Sequence, residues 1–197
     1  MTQDAPAGFT LIELLIVVVI IAILAAIAVP NFLEAQTRSK VARASADLRT
    51  LATAIEAYTV DVGKVPYDGE PTTVDVGWAQ TFALLTSPVA YLSAVIPDVF
   101  QDPAVGAYPS ASTHFVDAPA NRRHSYEYDS AHFAGVDQVP LFAAVWTSAF
   151  GPARWKTQSC GPDLRFSAQN FGDWHWRDRY DPTNGTVSAG DIFRRQD

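Results

Sequence analysis

The chain has 197 residues, of which 48% are hydrophobic and 18% are charged, and its formal net charge is −7. An apolar fraction of this size excludes a wholly disordered protein, and the acidic balance offers no basic surface for nucleic acid. The single cysteine, Cys160, excludes an intrachain disulfide and any zinc site built from several cysteines.

The most apolar segment of the chain lies close to its N-terminus. From Phe9 to Val29 the only charged residue is Glu13, and Pro30 follows. A helix of this length spans about 30 Å, the thickness of the hydrocarbon core of a bilayer. A cleaved secretory signal is the alternative, but the leader has no Lys or Arg and the apolar stretch is longer than such a signal needs. The segment therefore predicts a membrane-embedded helix.

Glu13 is the anomaly of this segment. A carboxylate inside an apolar span costs about 2.5–3.5 kcal/mol near the bilayer centre, so it is a functional candidate. No Lys or Arg occurs between Met1 and Arg38, and no local side chain can neutralise it. Cleavage after Gly8 creates an α-amino group on Phe9, whose unperturbed pKa of about 7.7–8 leaves it largely protonated at neutral pH. The sequence thus predicts that Glu13 obtains its counter-ion from a processed N-terminus.

The segment GFTLIE at positions 8–13, followed by the apolar run and Pro30, resembles the N-terminal signature of type IV pilins and type II secretion pseudopilins. The resemblance implies cleavage by a prepilin peptidase between Gly8 and Phe9, and N-methylation of Phe9. It also implies that Glu13 pairs with the Phe9 amine of an adjacent subunit, and that Pro30 marks a kink or melted stretch of the helix. The partners it implies are further copies of the chain, the peptidase, an inner-membrane assembly platform, minor pilins or pseudopilins, and membrane lipid before assembly.

The orientation in the membrane is predicted from the resemblance. The positive-inside rule, counted over the bases that follow the span, places that side in the cytoplasm. These bases are accompanied by acidic residues, and a long domain follows. We therefore expect a bacterial inner-membrane protein whose C-terminal domain lies outside the cytoplasm, and later a periplasmic or extracellular filament.

The stretch from Pro30 to Gly63 contains no internal Gly or Pro and predicts a continuous helix ended by Gly63. Apolar residues recur along it at alternating spacings of three and four, and we expect this stripe to dock on the chain's own C-terminal domain. A short coiled-coil arm is the alternative. The stripe consists of Val41, Ala44, Leu48, Leu51, Ile55, Tyr58 and Val62.

The C-terminal part is predicted to form a small antiparallel sheet packed on this stripe, an α+β architecture. A short helix is expected in AQTFALLTSP, and strands in HSYEYDS, PLFAAVWTSA, ARWKTQSC and TVSAGDIFRR. The predicted organisation is a leader at 1–8, a membrane and assembly helix at 9–30, an amphipathic helix half at 31–62 and an α+β head at 63–197.

Short segments of the head also resemble the pseudopilin-like branch of the family. They are Asp98-Val99-Phe100, Tyr126-Glu127-Tyr128 and the stretch from Ser159 to Asp163. The resemblance implies a calcium site near the C-terminal loop, with ligands from Asp163, Asp181, Asn184 and Asp191. Residues 181–185 also read as an ordinary turn, so both interpretations stay open.

The remaining chemistry-bearing residues give weaker patterns. The four histidines make no metal-binding pair, and the DWHWRD segment at 173–178 is interpreted either as surface-loop packing or as a glycan or base site. Cys160 is predicted to be a small buried apolar residue. The chain is therefore interpreted as a structural filament subunit without catalytic activity of its own. The alternative is a single-pass membrane-anchored binding protein or enzyme, and the type of filament is not specified by the sequence.

Overall fold

The computed structural model describes residues 8–67, 78–100, 126–131, 140–164, 180–181, 183, 190 and 192–196. Its elements are α1 (Leu11–Val62), α2 (Trp78–Ala83), β1 (Glu127–Ser130), α3 (Pro140–Phe150), β2 (Trp155–Ser159) and β3 (Ile192–Arg195). A long N-terminal helix and a three-stranded antiparallel sheet confirm the predicted α+β class. The chain divides into two compact units, Met1–Thr37 and Arg38–Asp197, and α1 passes through both.

The N-terminal unit consists of the apolar part of α1. Its large apolar side chains are exposed, from 48% at Val17 to 81% at Leu11. By length and composition α1 is apolar enough to cross a membrane, and none of its most apolar window is buried. The helix continues through Pro30.

The C-terminal unit is organised around the predicted stripe of α1. Ala44, Leu48, Leu51 and Ile55 are each at most 1% exposed and lie in one core with residues of the sheet, so the predicted docking on the chain's own domain is confirmed. The prediction is wrong for the last residue of the stripe, because Val62 is 45% exposed at the end of the helix.

Gly63 ends α1 as its position predicts. It adopts φ +79°, and its N–H donates to the carbonyl of Thr59 at 2.9 Å. This left-handed conformation costs glycine no Cβ clash, which explains why the helix ends at this residue.

The sheet has the order β1-β2-β3, and both strand pairs are antiparallel. One face carries Tyr126, Tyr128 and Trp155, which belong to the core that includes the stripe of α1. Two hydrogen bonds tie this face to the helix: Tyr126 Oη donates to Asp47 at 2.9 Å, and Trp155 Nε1 donates to Glu56 at 2.7 Å.

The strand predicted in PLFAAVWTSA is wrong, because these residues form most of helix α3. A short apolar run does not distinguish a strand from a buried helix by periodicity alone. Pro140 occupies the first helical position, which its fixed φ favours. The rings of Trp146 and Phe150, one turn apart, pack with their centroids 4.8 Å apart and their planes tilted by 57°, and they form a second small core with Ala153.

Candidate functional site

The N-terminal end of α1 is closed by a reciprocal cap between Thr10 and Glu13. The Thr10 hydroxyl and backbone N–H donate to Glu13 Oε2 at 2.6 and 2.8 Å. In return, the Glu13 N–H donates to Thr10 Oγ1 at 3.3 Å. This is the capping box of a Thr followed three positions later by a Glu, and it satisfies N–H groups that a helix start otherwise leaves without partners.

Thr10 is not among the predicted site residues. No Lys or Arg lies near Glu13 in the sequence, yet the neutral side chain of Thr10 holds its carboxylate. The signal was available, because a Thr three positions before a Glu at the start of an apolar run is a capping pattern. Thr10 therefore fixes the Glu13 carboxylate at the first turn of the helix, where the helix dipole also favours a negative charge.

The surroundings of this cap are open. Phe9 is 73% exposed and Ile12 is 63% exposed. A Cβ atom added at Gly8 meets nothing within 4 Å. Among the described residues, therefore, nothing obstructs a Cβ at position 8, and the apolar side chains at the start of α1 are accessible to a second helix.

The predicted calcium ligands are only partly within the described residues. Asp163 and Asp181 are described, whereas Asn184 and Asp191 lie outside. Asp181 Oδ1 accepts the Thr183 hydroxyl at 2.7 Å and the Thr183 N–H at 2.8 Å, and these bonds lower the pKa of Asp181. Among the described residues no group of three or more His, Cys, Asp or Glu is arranged to hold a metal. Residues 182 and 184–185 of the turn alternative lie outside the described residues, so the turn and calcium binding both stay predictions.

Two of the head segments that resemble the pseudopilin-like branch, residues 98–100 and 159–163, contact each other. Asp98 is 2% exposed, and its Oδ1 accepts the Phe100 N–H at 3.0 Å and the Ser159 hydroxyl at 2.8 Å. Burial raises the pKa of Asp98 to about 6, although these hydrogen bonds act to lower it. Cys160 is fully buried, as predicted, with its sulfur 4.0 Å from Asp98 Oδ2. The contacts of Asp98 with Ser159 and Cys160 join the 98–100 loop to the end of β2.

The other segments that the sequence singled out, the four histidines and residues 173–178, lie outside the described residues. Their predicted roles therefore stay predictions.

Comparison with known proteins identifies the N-terminal segment. Residues 5–29 match the family described as the prokaryotic N-terminal methylation motif. The chain is 59% identical over 51 residues to the type IV major pilin protein PilA of Myxococcus xanthus, which is 26% of this chain and 23% of that protein. It is 40% identical over 84 residues to a fimbrial protein of Pseudomonas aeruginosa, 42% of this chain and 54% of that protein.

A type II secretion system core protein G from Pseudomonas aeruginosa is 41% identical over 61 residues, 31% of this chain and 43% of that protein. The predicted resemblance to pilins and to a type II secretion protein is thus confirmed. The chain spans between about a quarter and half of the length of these relatives. No solved structure matches.

Proposed function

We propose that this chain is a structural subunit of a filament of the type IV pilus or type II secretion pseudopilus kind. The observation that carries the proposal is the methylation motif at residues 5–29, which coincides with an exposed apolar helix start. Apolar side chains exposed over such a length need lipid or other copies of the same helix around them. Before assembly, the membrane supplies lipid around these side chains. After assembly, a filament core built from bundled N-terminal helices supplies other copies of the same helix.

Maturation is proposed to begin with cleavage between Gly8 and Phe9 by a prepilin peptidase, followed by N-methylation of Phe9. Cleavage leaves an ammonium group at Phe9, one helical turn from Glu13. The Thr10 cap presents the Glu13 carboxylate at the helix start, where the Phe9 amine of a neighbouring, axially staggered helix can reach it. Pairing of the two charges offsets the cost of about 2.5–3.5 kcal/mol for a carboxylate at membrane depth.

The proposed location before assembly is the bacterial inner membrane, with α1 crossing it once and the C-terminal unit outside the cytoplasm. An inner-membrane assembly platform and minor pilins or pseudopilins would then draw the subunit into the filament. The relatives named for pili and for type II secretion support this class of partner, and the chain itself is proposed to contribute no catalysis.

The mass of the chain isolated from membranes of its native host tests the proposal. We expect a protein that begins at Phe9 and carries one additional methyl group. Sheared surface material is expected to contain filaments in which peptide mass fingerprinting identifies this chain. A protein that retains Met1, with no filament detected, contradicts the proposal and favours a plain membrane anchor.

A further inference from the structure

The face of the sheet opposite to the tyrosines contains buried charges that the filament function does not use. Lys156 on β2 is 2% exposed, Glu127 on β1 is 6% exposed and Asp129 on β1 is 7% exposed. Moving an ion out of water costs several kcal/mol even after the protein relaxes. The interior therefore contains an ammonium and two carboxylates at a considerable desolvation cost.

The strand register brings an amine and a carboxyl group into direct contact. Asp129 is the residue directly opposite Lys156 in the antiparallel β1–β2 pair. Lys156 Nζ lies 2.5 Å from Asp129 Oδ2. The same nitrogen lies 3.2 Å from Glu127 Oε1. The Lys156 nitrogen thus contacts one carboxyl group, that of Asp129, which could acylate it. It also lies within reach of a second carboxyl group, that of Glu127, for proton transfer.

The remaining contacts fix these three groups and exclude water from them. Gln158 accepts from Lys156 Nζ at 3.0 Å and donates to Glu127 Oε2 at 2.8 Å. The ring of Phe150 on α3 lies 6.0 Å from Nζ. The lysine side chain is 3% exposed, so bulk water has little access to the nitrogen.

We propose that the folded chain forms an isopeptide bond between Lys156 Nζ and Asp129 Cγ, with Glu127 as the proton shuttle. The ammonium first transfers one proton to the Asp129 carboxylate, which gives a neutral amine and a carboxylic acid. The nitrogen lone pair attacks Cγ, Glu127 accepts a second proton from the nitrogen, and it returns that proton to the departing hydroxyl. The C–O bond breaks and water leaves. One ammonium and one carboxylate become one amide and one water, and Glu127 ends in its initial protonation state.

Two physical effects favour the bond over the ion pair. They act against the protonation of the amine: burial lowers the pKa of Lys156, but attraction to Asp129 and Glu127 raises it more strongly, so the nitrogen is held as an ammonium until a proton moves to Asp129. Condensation then removes a positive and a negative charge from the apolar interior and releases water to the solvent. Oriented groups also react with effective molarities of up to about 10⁵–10⁸ M, which offsets the unfavourable condensation of free amines and acids in water.

The bond would join the two strands covalently, which adds to the proposed filament function without depending on it. A filament subunit experiences tension, and a cross-link between β1 and β2 prevents these strands from separating. A chain that is never assembled into a filament would form the same bond, because every reacting group lies within the head.

Mass spectrometry of the full chain, purified and then denatured, tests the proposal. We expect the wild-type mass to be lower by one water molecule than the mass calculated from its observed first residue. Trypsin is expected to release a branched peptide that joins residues 124–154 to residues 155–165, because the acylated Lys156 is no longer cleaved. The wild-type digest needs no variant, so it remains decisive even if substitutions impair folding. Wild-type protein of unmodified mass, with linear peptides only, overturns the proposal and leaves a buried ion pair.

Two variants assign the roles. Lys156→Arg retains the positive charge but removes the nucleophile, so we expect unmodified mass. Glu127→Gln retains the hydrogen-bonding atoms but removes the shuttle, so we expect the dehydrated form to be lost while far-ultraviolet circular dichroism is unchanged. Complete dehydration in Lys156→Arg overturns the assigned bond, and complete dehydration in Glu127→Gln overturns the role of Glu127.

Discussion

The indole N–H of Trp155 on β2 donates to the Glu56 carboxylate on α1 at 2.7 Å, across the interface between sheet and helix. Trp155 is 1% exposed, so this bond anchors a large core side chain to a partly buried charge. Together with the bond from Tyr126 to Asp47, it sets the position of the sheet along the C-terminal half of the helix. The predicted stripe supplies the apolar contact, and these polar pairs fix its alignment.

Trp155→Phe is expected to reduce the free energy of unfolding of the head by about 1–3 kcal/mol, because it removes a charge-assisted hydrogen bond and some packed volume. Chemical denaturation of the full chain in detergent, followed by circular dichroism, measures the change. Glu56→Gln retains an acceptor oxygen and is the matched control, with a smaller expected loss. Equal stability of Trp155→Phe and wild type contradicts the anchoring role.

Leu51→Ala tests the stripe itself. Leu51 is fully buried in the core, and truncation of such a side chain typically costs about 2–5 kcal/mol, depending on how far the cavity collapses. The same unfolding measurement serves here. Val60→Ala, on the same helix but 80% exposed, is the control and is expected to change stability by less than about 0.5 kcal/mol. Similar losses for both variants would show that the stripe does not pack as described.

Thr10→Val is expected to leave the precursor membrane-bound and cleavable but to reduce filament yield. The variant keeps the shape of the side chain and removes the hydroxyl of the capping box, which is worth about 0.5–2 kcal/mol in helix starts. Sheared filament and processed subunit are both measured by immunoblot. Thr10→Ser restores the hydroxyl and is expected to restore assembly, whereas Glu13→Ala should be cleaved and assemble poorly. Full assembly by Thr10→Val removes the positioning role of Thr10.

These features differ in how far the sequence alone could predict them. The helix over 31–62 and most of its stripe are local patterns, so the absence of Gly and Pro from these residues and the spacing of the apolar side chains were sufficient to predict them. The α3 segment was misassigned because its composition fits both a strand and a buried helix. The contacts of Asp98 with Ser159 and of Asp129 with Lys156 join distant parts of the chain. Strand register and loop path determine them, and no local spacing specifies either.

Gly8→Val is expected to block maturation while leaving the fold unchanged. The added Cβ meets no atom of the described residues within 4 Å, apart from the neighbours of Gly8 in the chain, so we expect the defect to arise in recognition by the peptidase. Intact mass of membrane-extracted protein is expected to show the full precursor. Gly8→Ala adds a smaller side chain, and we expect partial cleavage. Normal cleavage of Gly8→Val contradicts the assignment of the processing site.

The stability of the head is expected to depend on pH through Asp98. Burial raises the pKa of Asp98 in the folded chain to about 6, from its ordinary value of about 3.8. As the pH falls, Asp98 therefore becomes protonated at a higher pH in the native state than in the unfolded state. The contribution of Asp98 to stability is fully present below about pH 3.8 and is lost as the pH rises through about 6. The facing groups are Asp47 on α1 and Tyr126 next to β1, and the Asp47 charge adds to the raised pKa.

Asp98→Asn isolates this effect from the other carboxylates, which titrate in both proteins. Between pH 7 and pH 5 the wild type is expected to gain about 1.3 kcal/mol of stability relative to Asp98→Asn, because about one pH unit of this window lies below the folded pKa and each unit corresponds to about 1.4 kcal/mol. Denaturant titrations of both proteins at several pH values give the difference directly. If the free energies of unfolding of wild type and Asp98→Asn differ by the same amount across this range, Asp98 does not titrate there. The hydrogen bonds from Phe100 and Ser159 then stabilise its carboxylate more strongly than burial destabilises it.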